Sequence, residues 1–212
     1  MYIAIDGIIG VGKTSLARLL QPVFDAELLL EAFDENPFLA DFYSDRDRYA
    51  FQTQIFFLLS RYRQQQSFTA EASSDHNLIA DYCFEKDMLF AHLNLSNDEL
   101  ATYRLVYDAL IERIVQPDLI VYLKARAEIA MQRIAMRDRS YERRMDIKYL
   151  DELYAAYEAF FSDFKDVPVL TIDTNSLNYV MYPEDLSFII KRIQSALGIP
   201  PFQPELPLDG GS

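Results

Sequence analysis

The chain is poor in the groups that build several kinds of site. It carries one cysteine, Cys83, in 212 residues, which excludes an intramolecular disulfide framework and any cysteine-rich zinc site. Its two histidines, His76 and His92, are too few and too separated for the common metal-binding helices. Basic residues are outnumbered, 20 against 33 acidic ones, for a formal net charge of −13. A body this acidic is ill suited to wrapping duplex nucleic acid, whose affinity comes mainly from cations neutralising phosphates. It is equally ill suited to coating an anionic membrane. Long apolar runs are missing too: no stretch reaches the ~18 uncharged residues that would span a bilayer. The N-terminus meets Asp6 before an export signal develops. The expectation is a soluble, cytoplasmic protein with neither nucleic acid nor membrane as partner.

What is present suits a packed domain. Half the residues are apolar and 14% are aromatic, enough to bury a core and to argue against disorder. The length fits one domain, expected over residues 1–198, with a proline-rich tail over 199–212. Short apolar runs alternate with long helical patterns, the mark of an α/β domain around a parallel sheet. Strands are expected at Tyr2–Asp6, Glu27–Glu31, Asn77–Asp81, Asp118–Leu123 and Val167–Asp173. Helices are expected at Lys13–Phe24, Arg48–Ala70, Phe84–Leu93, Asn97–Val115 after a cap-like Ser96, Arg126–Arg137, Asp146–Lys165 and Pro183–Leu197. Gly198 stands where a helix C-cap belongs.

One motif carries chemistry directly. Gly7-Ile8-Ile9-Gly10-Val11-Gly12-Lys13-Thr14 matches the phosphate loop G-x-x-x-x-G-K-[ST], and it stands between an apolar strand and an amphipathic helix, as that loop requires. The glycines let backbone N–H groups close around phosphate oxygens, and the helix N-terminus adds its positive dipole end. Lys13 is expected on the β and γ phosphates of ATP and the Thr14 hydroxyl on Mg²⁺. Gly7, Gly10, Val11, Gly12, Lys13, Thr14 and Ser15 form the expected cradle. A guanine-specific switch is disfavoured because Asp173-Thr174-Asn175-Ser176 contains no N/T-K-x-D segment. A motor ATPase is disfavoured because Tyr82, not glutamate, follows Asp81.

Glu31 and Asp81 close the second and third strands, and the carboxyl ends of strands in such sheets open onto the ligand crevice. Asp6, closing the first, can help order the loop. Arg133 and Arg137 share a helical face at i and i+4, and Arg139 follows. Three guanidiniums on one element of an acidic chain suit a phosphoryl group in transfer. Gln54 and Arg61 lie two helical turns apart, a polar pair facing one way among apolar neighbours, costly unless satisfied by another helix or by a ligand.

These residues resemble the deoxynucleoside kinases, over nearly the whole chain. Glu31-Ala32-Phe33-Asp34-Glu35-Asn36-Pro37-Phe38 looks like the segment carrying that family's catalytic glutamate. Phe51-Gln52-Thr53-Gln54, continuing to Leu59-Ser60-Arg61, looks like the base-reading helix. Arg133, Arg137, Arg139 and Glu142 look like its arginine-rich lid, about 137–144. The resemblance implies a P-loop kinase fold with a five-stranded parallel sheet flanked by helices. It also implies transfer of the γ-phosphate of ATP to the 5′-hydroxyl of a deoxyribonucleoside, deoxyadenosine or deoxyguanosine with tolerance of deoxycytidine. Glu31 is then the general base, and Arg137 reaches the donor. Gln54 reads the base edge, with Arg61 and Asp87 as a charged pair near it. Tyr43 and Glu142 hold the 3′-hydroxyl, and Asp81 helps order Mg²⁺. Such kinases are typically homodimers, and the apolar helices at 97–115 or 146–165 offer faces for that.

One departure stands out. Family members usually place Asp/Glu-Arg-Ser after the third strand, where this chain has Asp81-Tyr82-Cys83, so an arginine near the transferred phosphate is missing. A nucleoside monophosphate kinase and a non-catalytic nucleotide-sensing module remain as alternatives.

Overall fold

The computed structural model describes residues 1–71 and 76–200. Five strands, β1 (Tyr2–Asp6), β2 (Ala26–Leu29), β3 (Asn77–Ala80), β4 (Leu119–Lys124) and β5 (Val169–Asp173), form one sheet. Its order is β2-β3-β1-β4-β5 and every pairing is parallel. Side chains alternate between the faces, as the two-residue period of a strand demands. Ile3, Ile5, Ile79, Val121 and Leu123 enter the main core, while Tyr2, Ala4, Leu78, Ala80 and Ile120 enter a second, smaller one. Both faces are therefore covered, which explains why these strands read as continuous apolar runs.

The helices are α1 (Lys13–Phe24), α2 (Leu39–Phe42), α3 (Arg46–Glu71), α4 (Lys86–Asn94), α5 (Asn97–Ile111), α6 (Ala127–Arg137), α7 (Ile147–Asp163) and α8 (Pro183–Ala196). Short 3₁₀ turns stand at Phe33–Glu35 and Ser140–Glu142. Tyr122 on β4 stacks on Phe161 of α7 with ring centroids 4.4 Å apart. None of the helices in the described residues is long and apolar enough to cross a membrane.

Several boundaries differ from the sequence expectation, each for a local reason. β5 begins at Val169 rather than Val167, since Pro168 has no N–H to give the ladder, although its carbonyl still accepts from Ile120 N at 2.9 Å. α5 stops at Ile111 rather than Val115. Its end tightens into i→i+3 bonds from Arg113 N and Ile114 N, at 3.0 and 3.1 Å, ahead of Pro117, which disfavours helical backbone at the residue before it. Ser96 precedes α5 in extended backbone but makes no side-chain cap bond. α4 starts at Lys86 rather than Phe84, and the four-residue α2 has no counterpart among the expected helices. β2 ends at Leu29, so Glu31 lies just beyond the strand expected to contain it. Gly198 takes the left-handed φ of +68° expected of a C-cap. Most of the expected tail, 201–212, lies outside the described residues.

Candidate active site

The site grows from the register of the sheet. Leu29 of β2 pairs with Ala80 of β3, and Ala80 with Ala4 of β1. The residues that follow these strands therefore emerge side by side: the phosphate loop after β1, Glu31 after β2 and Asp81 after β3. Asp6 ties the loop and the segment after β3 to α7. Its buried carboxylate accepts from Gly7 N at 2.6 Å, Cys83 N at 2.9 Å and the Tyr157 hydroxyl at 2.8 Å.

The loop closes tightly. Gly10 has φ +84°, and a Cβ there would stand 2.7 Å from the Ala130 carbonyl of α6; a side chain is excluded both by conformation and by space. The Lys13 ammonium folds back over the loop, donating to Gly7 O at 2.7 Å and Ile8 O at 3.1 Å. Burial, then the neighbouring Lys86 ammonium, lowers its pKa to about 8. The Thr14 hydroxyl donates to Asp81 Oδ2, and Asp81 Oδ1 accepts from Glu31 N at 2.7 Å. Burial first, and then the charge of Glu31, raises the Asp81 pKa.

Glu31 stands at the junction of two regions. A single cavity of about 360 Å³ holds both: Gly10, Gly12, Lys13 and Thr14 of the loop line one part, and aromatic rings, among them Phe33, Phe42, Phe57, Phe90 and Tyr149, line the rest. Arg61 Nε donates to Glu31 Oε1 at 2.7 Å and Nη2 contacts the same oxygen. Lys86 Nζ lies 3.4 Å from Glu31 Oε2. Burial works to raise the Glu31 pKa, but the Arg61, Lys86 and Lys13 charges overcome it and bring it down to about 2.

The expected charged pair forms: Arg61 Nη1 meets Asp87, both side chains being buried. Arg61 thus bridges two carboxylates, Asp87 and the strand-end Glu31, where the sequence suggested only the former. Asp87 stands behind the guanidinium and does not line the cavity; Gln54, Tyr43 and Glu142 do. Burial, then its aromatic neighbour Tyr149 and the Glu142 carboxylate, pushes the Tyr43 phenol up.

The three arginines separate. Arg137 is paired with Glu142, Nε to Oε2 at 2.7 Å, and Arg139 lies over the Phe33 ring at 5.3 Å; both line the cavity. Arg133 does not line this cavity; with Arg137 it lines a second pocket beside Gly10, Gly12 and Ser15 of the loop. Its guanidinium donates to Val11 O at 2.9 Å, Thr174 O at 2.8 Å, Leu177 O at 3.2 Å and Thr174 Oγ1 at 3.2 Å. It is a clamp between α6, the loop and the segment after β5, because one helical turn separates it from Arg137 along the axis.

Sequence reasoning missed Lys86. It opens α4, five positions after Asp81, and its side chain is 2% exposed. Any cation in the first turn after β3 must lie close to the loop, a signal that was there to be used. Phe57 and Phe90, without individual roles from sequence, both line the cavity.

A phosphate loop on a parallel sheet, bordering an aromatic cavity with a strand-end carboxylate at their junction, defines a phosphotransferase with a small acceptor. Comparison with known proteins is specific. The chain matches the deoxynucleoside kinase family model over residues 3–197, and it belongs to that family. It is 33% identical over 206 residues to a deoxyguanosine kinase of Bacillus subtilis, covering 92% of this chain and 97% of the relative. It is 36% identical over 194 residues to a deoxyadenosine kinase of Dictyostelium discoideum, covering 90% and 78%. Among solved structures, deoxyadenosine kinase from M. mycoides with the products dCMP and a flexible dCDP bound aligns at TM-score 0.80 and 25% identity. That alignment covers 92% of this chain and all of the other. The protein is thus a deoxynucleoside kinase, an ATP-dependent phosphotransferase.

Proposed function

We propose that the acceptor is a purine deoxyribonucleoside, deoxyguanosine or deoxyadenosine with deoxycytidine tolerated, and that ATP is the donor. The observation that carries the reading is Glu31, a carboxylate at the seam between the phosphate loop and the aromatic cavity. There it would meet the acceptor's 5′-hydroxyl within hydrogen-bond reach, as a general base must. The relatives named for deoxyguanosine and deoxyadenosine support the purine assignment. Gln54, which lines the cavity, has both an amide donor and an acceptor for a base edge. Tyr43 and Glu142 would hold the 3′-hydroxyl.

In this reading the loop amides and Lys13 bind the donor phosphates, and Arg137 and Arg139 neutralise charge from the lid side. The donor set of Thr14 and Asp81, a hydroxyl and a carboxylate in contact, suits a magnesium ion that keeps water and phosphate oxygens as its other ligands. Bound there, Mg²⁺ would supply charge neutralisation at the β and γ phosphates. Glu31 takes the 5′-hydroxyl proton during in-line attack. The rest is positioning and electrostatics.

A monophosphate acceptor fits less well, because Arg61, the buried arginine of the acceptor side, already faces the carboxylates of Glu31 and Asp87. A neutral sugar suits a guanidinium neutralised in this way. We also carry a homodimer over to this reading, on the family resemblance and the apolar groove between α4 and α7 formed by Met88, Leu89 and Phe160. Sedimentation measures it. Direct measurement of phosphate transfer from Mg-ATP to the four deoxynucleosides, their ribonucleosides and their monophosphates tests the acceptor. Preference for a monophosphate, or ATP binding without transfer to any nucleoside, would overturn it.

A further inference from the structure

The inner cations of the cavity are unequally occupied. Arg61 is held between two carboxylates, Arg137 by Glu142, and Arg133 by backbone carbonyls outside the cavity. Lys13 has two loop carbonyls at 2.7 and 3.1 Å. Lys86 is different. It is buried, yet its ammonium has one polar partner among the described residues, Glu31 Oε2, and that at 3.4 Å. An ammonium carries three donors, and leaving them unmet in a desolvated place is costly. Lys86 lines the same cavity as Lys13 of the phosphate loop. Two lysines that line one cavity next to a phosphate loop suit an anionic group there. Tyr82 gives the Lys86 ammonium only a ring, 5.7 Å away.

We propose that Lys86 is a catalytic residue: its ammonium donates to a non-bridging oxygen of the phosphoryl group in transfer, beside the acceptor oxygen. The assignment rests on Glu31 being the base, since the oxygen that Glu31 deprotonates is the one that attacks. Lys86, 3.4 Å from Glu31 Oε2, then stands beside the site of attack. During transfer the 5′-oxygen–phosphorus bond forms as the bond from the γ-phosphorus to its bridging oxygen breaks. The 5′-hydroxyl proton goes to Glu31, and the ADP oxygen keeps the electron pair of the broken bond. Lys86 stays protonated throughout. Its charge thereby stabilises the phosphoryl group as it passes to the acceptor.

The test is steady-state transfer from Mg-ATP to deoxyguanosine and deoxyadenosine across pH, for the full chain and for Lys86→Met and Lys86→Arg. In Lys86→Met, kcat falls by about 100-fold or more, the scale for losing one preorganised donor to developing charge, while KM for the nucleoside changes by less than about threefold. In Lys86→Arg, about tenfold or more of that loss returns, because the charge is restored on a different geometry. A lysine that merely holds Glu31 in place would behave otherwise: the acid limb of the profile would move and the kcat plateau would survive in Lys86→Met. That result overturns the proposal, as does equal damage in both variants with melting temperatures unchanged. If Lys86→Met fails to fold, Lys86→Arg alone decides, since a folded variant with wild-type KM and a plateau lowered by less than about tenfold supports the charge role and one as inactive as Glu31→Gln refutes it. Absence of transfer by the unaltered chain to any deoxynucleoside would sink the acceptor assignment instead.

Discussion

Glu31→Gln separates what the carboxylate does for folding from what it does for turnover. The native pKa of about 2 against an ordinary 4.5 is a drop of roughly 2.5, which at ~1.36 kcal/mol each corresponds to about 3 kcal/mol of native-state stabilisation at neutral pH. The pKa is depressed, so this stability is fully present above about pH 4.5 and is lost as pH falls towards 2. Glutamine keeps the volume and one acceptor for Arg61, and Arg61 keeps Asp87; the loss should be about 2–3 kcal/mol, at or below the usual cost of orphaning a buried cation. Urea unfolding at pH 7 and pH 3 checks it: the two proteins differ most at pH 7, and the gap falls to roughly half at pH 3. Turnover should fall by about 10²–10⁴-fold, the range for a lost general base, with nucleoside KM nearly unchanged. A variant that is destabilised as stated yet turns over normally would leave Glu31 as a structural counter-ion and remove it from the chemistry.

Asp81→Asn should slow turnover while keeping or raising stability. Its pKa is raised in the fold, so the charged form opposes folding as pH climbs past the ordinary carboxylate range, and thermal melting against pH should show that slope disappear. Arg133→Met should cost about 2–4 kcal/mol through several lost charge-assisted hydrogen bonds and raise ATP KM, without the selective fall in kcat expected of a transition-state contact; calorimetry with steady-state kinetics decides. Gly10→Ala should cost about 1–3 kcal/mol and abolish tight ATP binding, read by titration calorimetry, because φ is +84° and the Ala130 carbonyl blocks the methyl. Gln54→Leu should raise nucleoside KM and alter the ratio between bases at constant ATP KM; a defect confined to ATP would remove Gln54 from the acceptor side.

The sequence by itself determined the strands, the long helices and the phosphate loop, since each rests on local periodicity or on a motif whose spacing is a backbone requirement. It also placed Glu31 and Asp81 at strand ends, within two residues of where β2 and β3 stop. What it could not determine is which charges meet. Arg133 and Arg137 share a helical face on paper, yet one turn of α6 sends the first to carbonyls of the loop and the second to Glu142. Lys86 carried no motif and became an inner wall of the site only when α4 packed against α3 and α7. Arg61 sits 30 residues from Glu31 and 26 from Asp87 in the chain, and its guanidinium joins both. Local propensity acts over one or two turns of chain, whereas electrostatic partnership depends on distances of a few ångströms that only the sheet register and the packing of helices on it set.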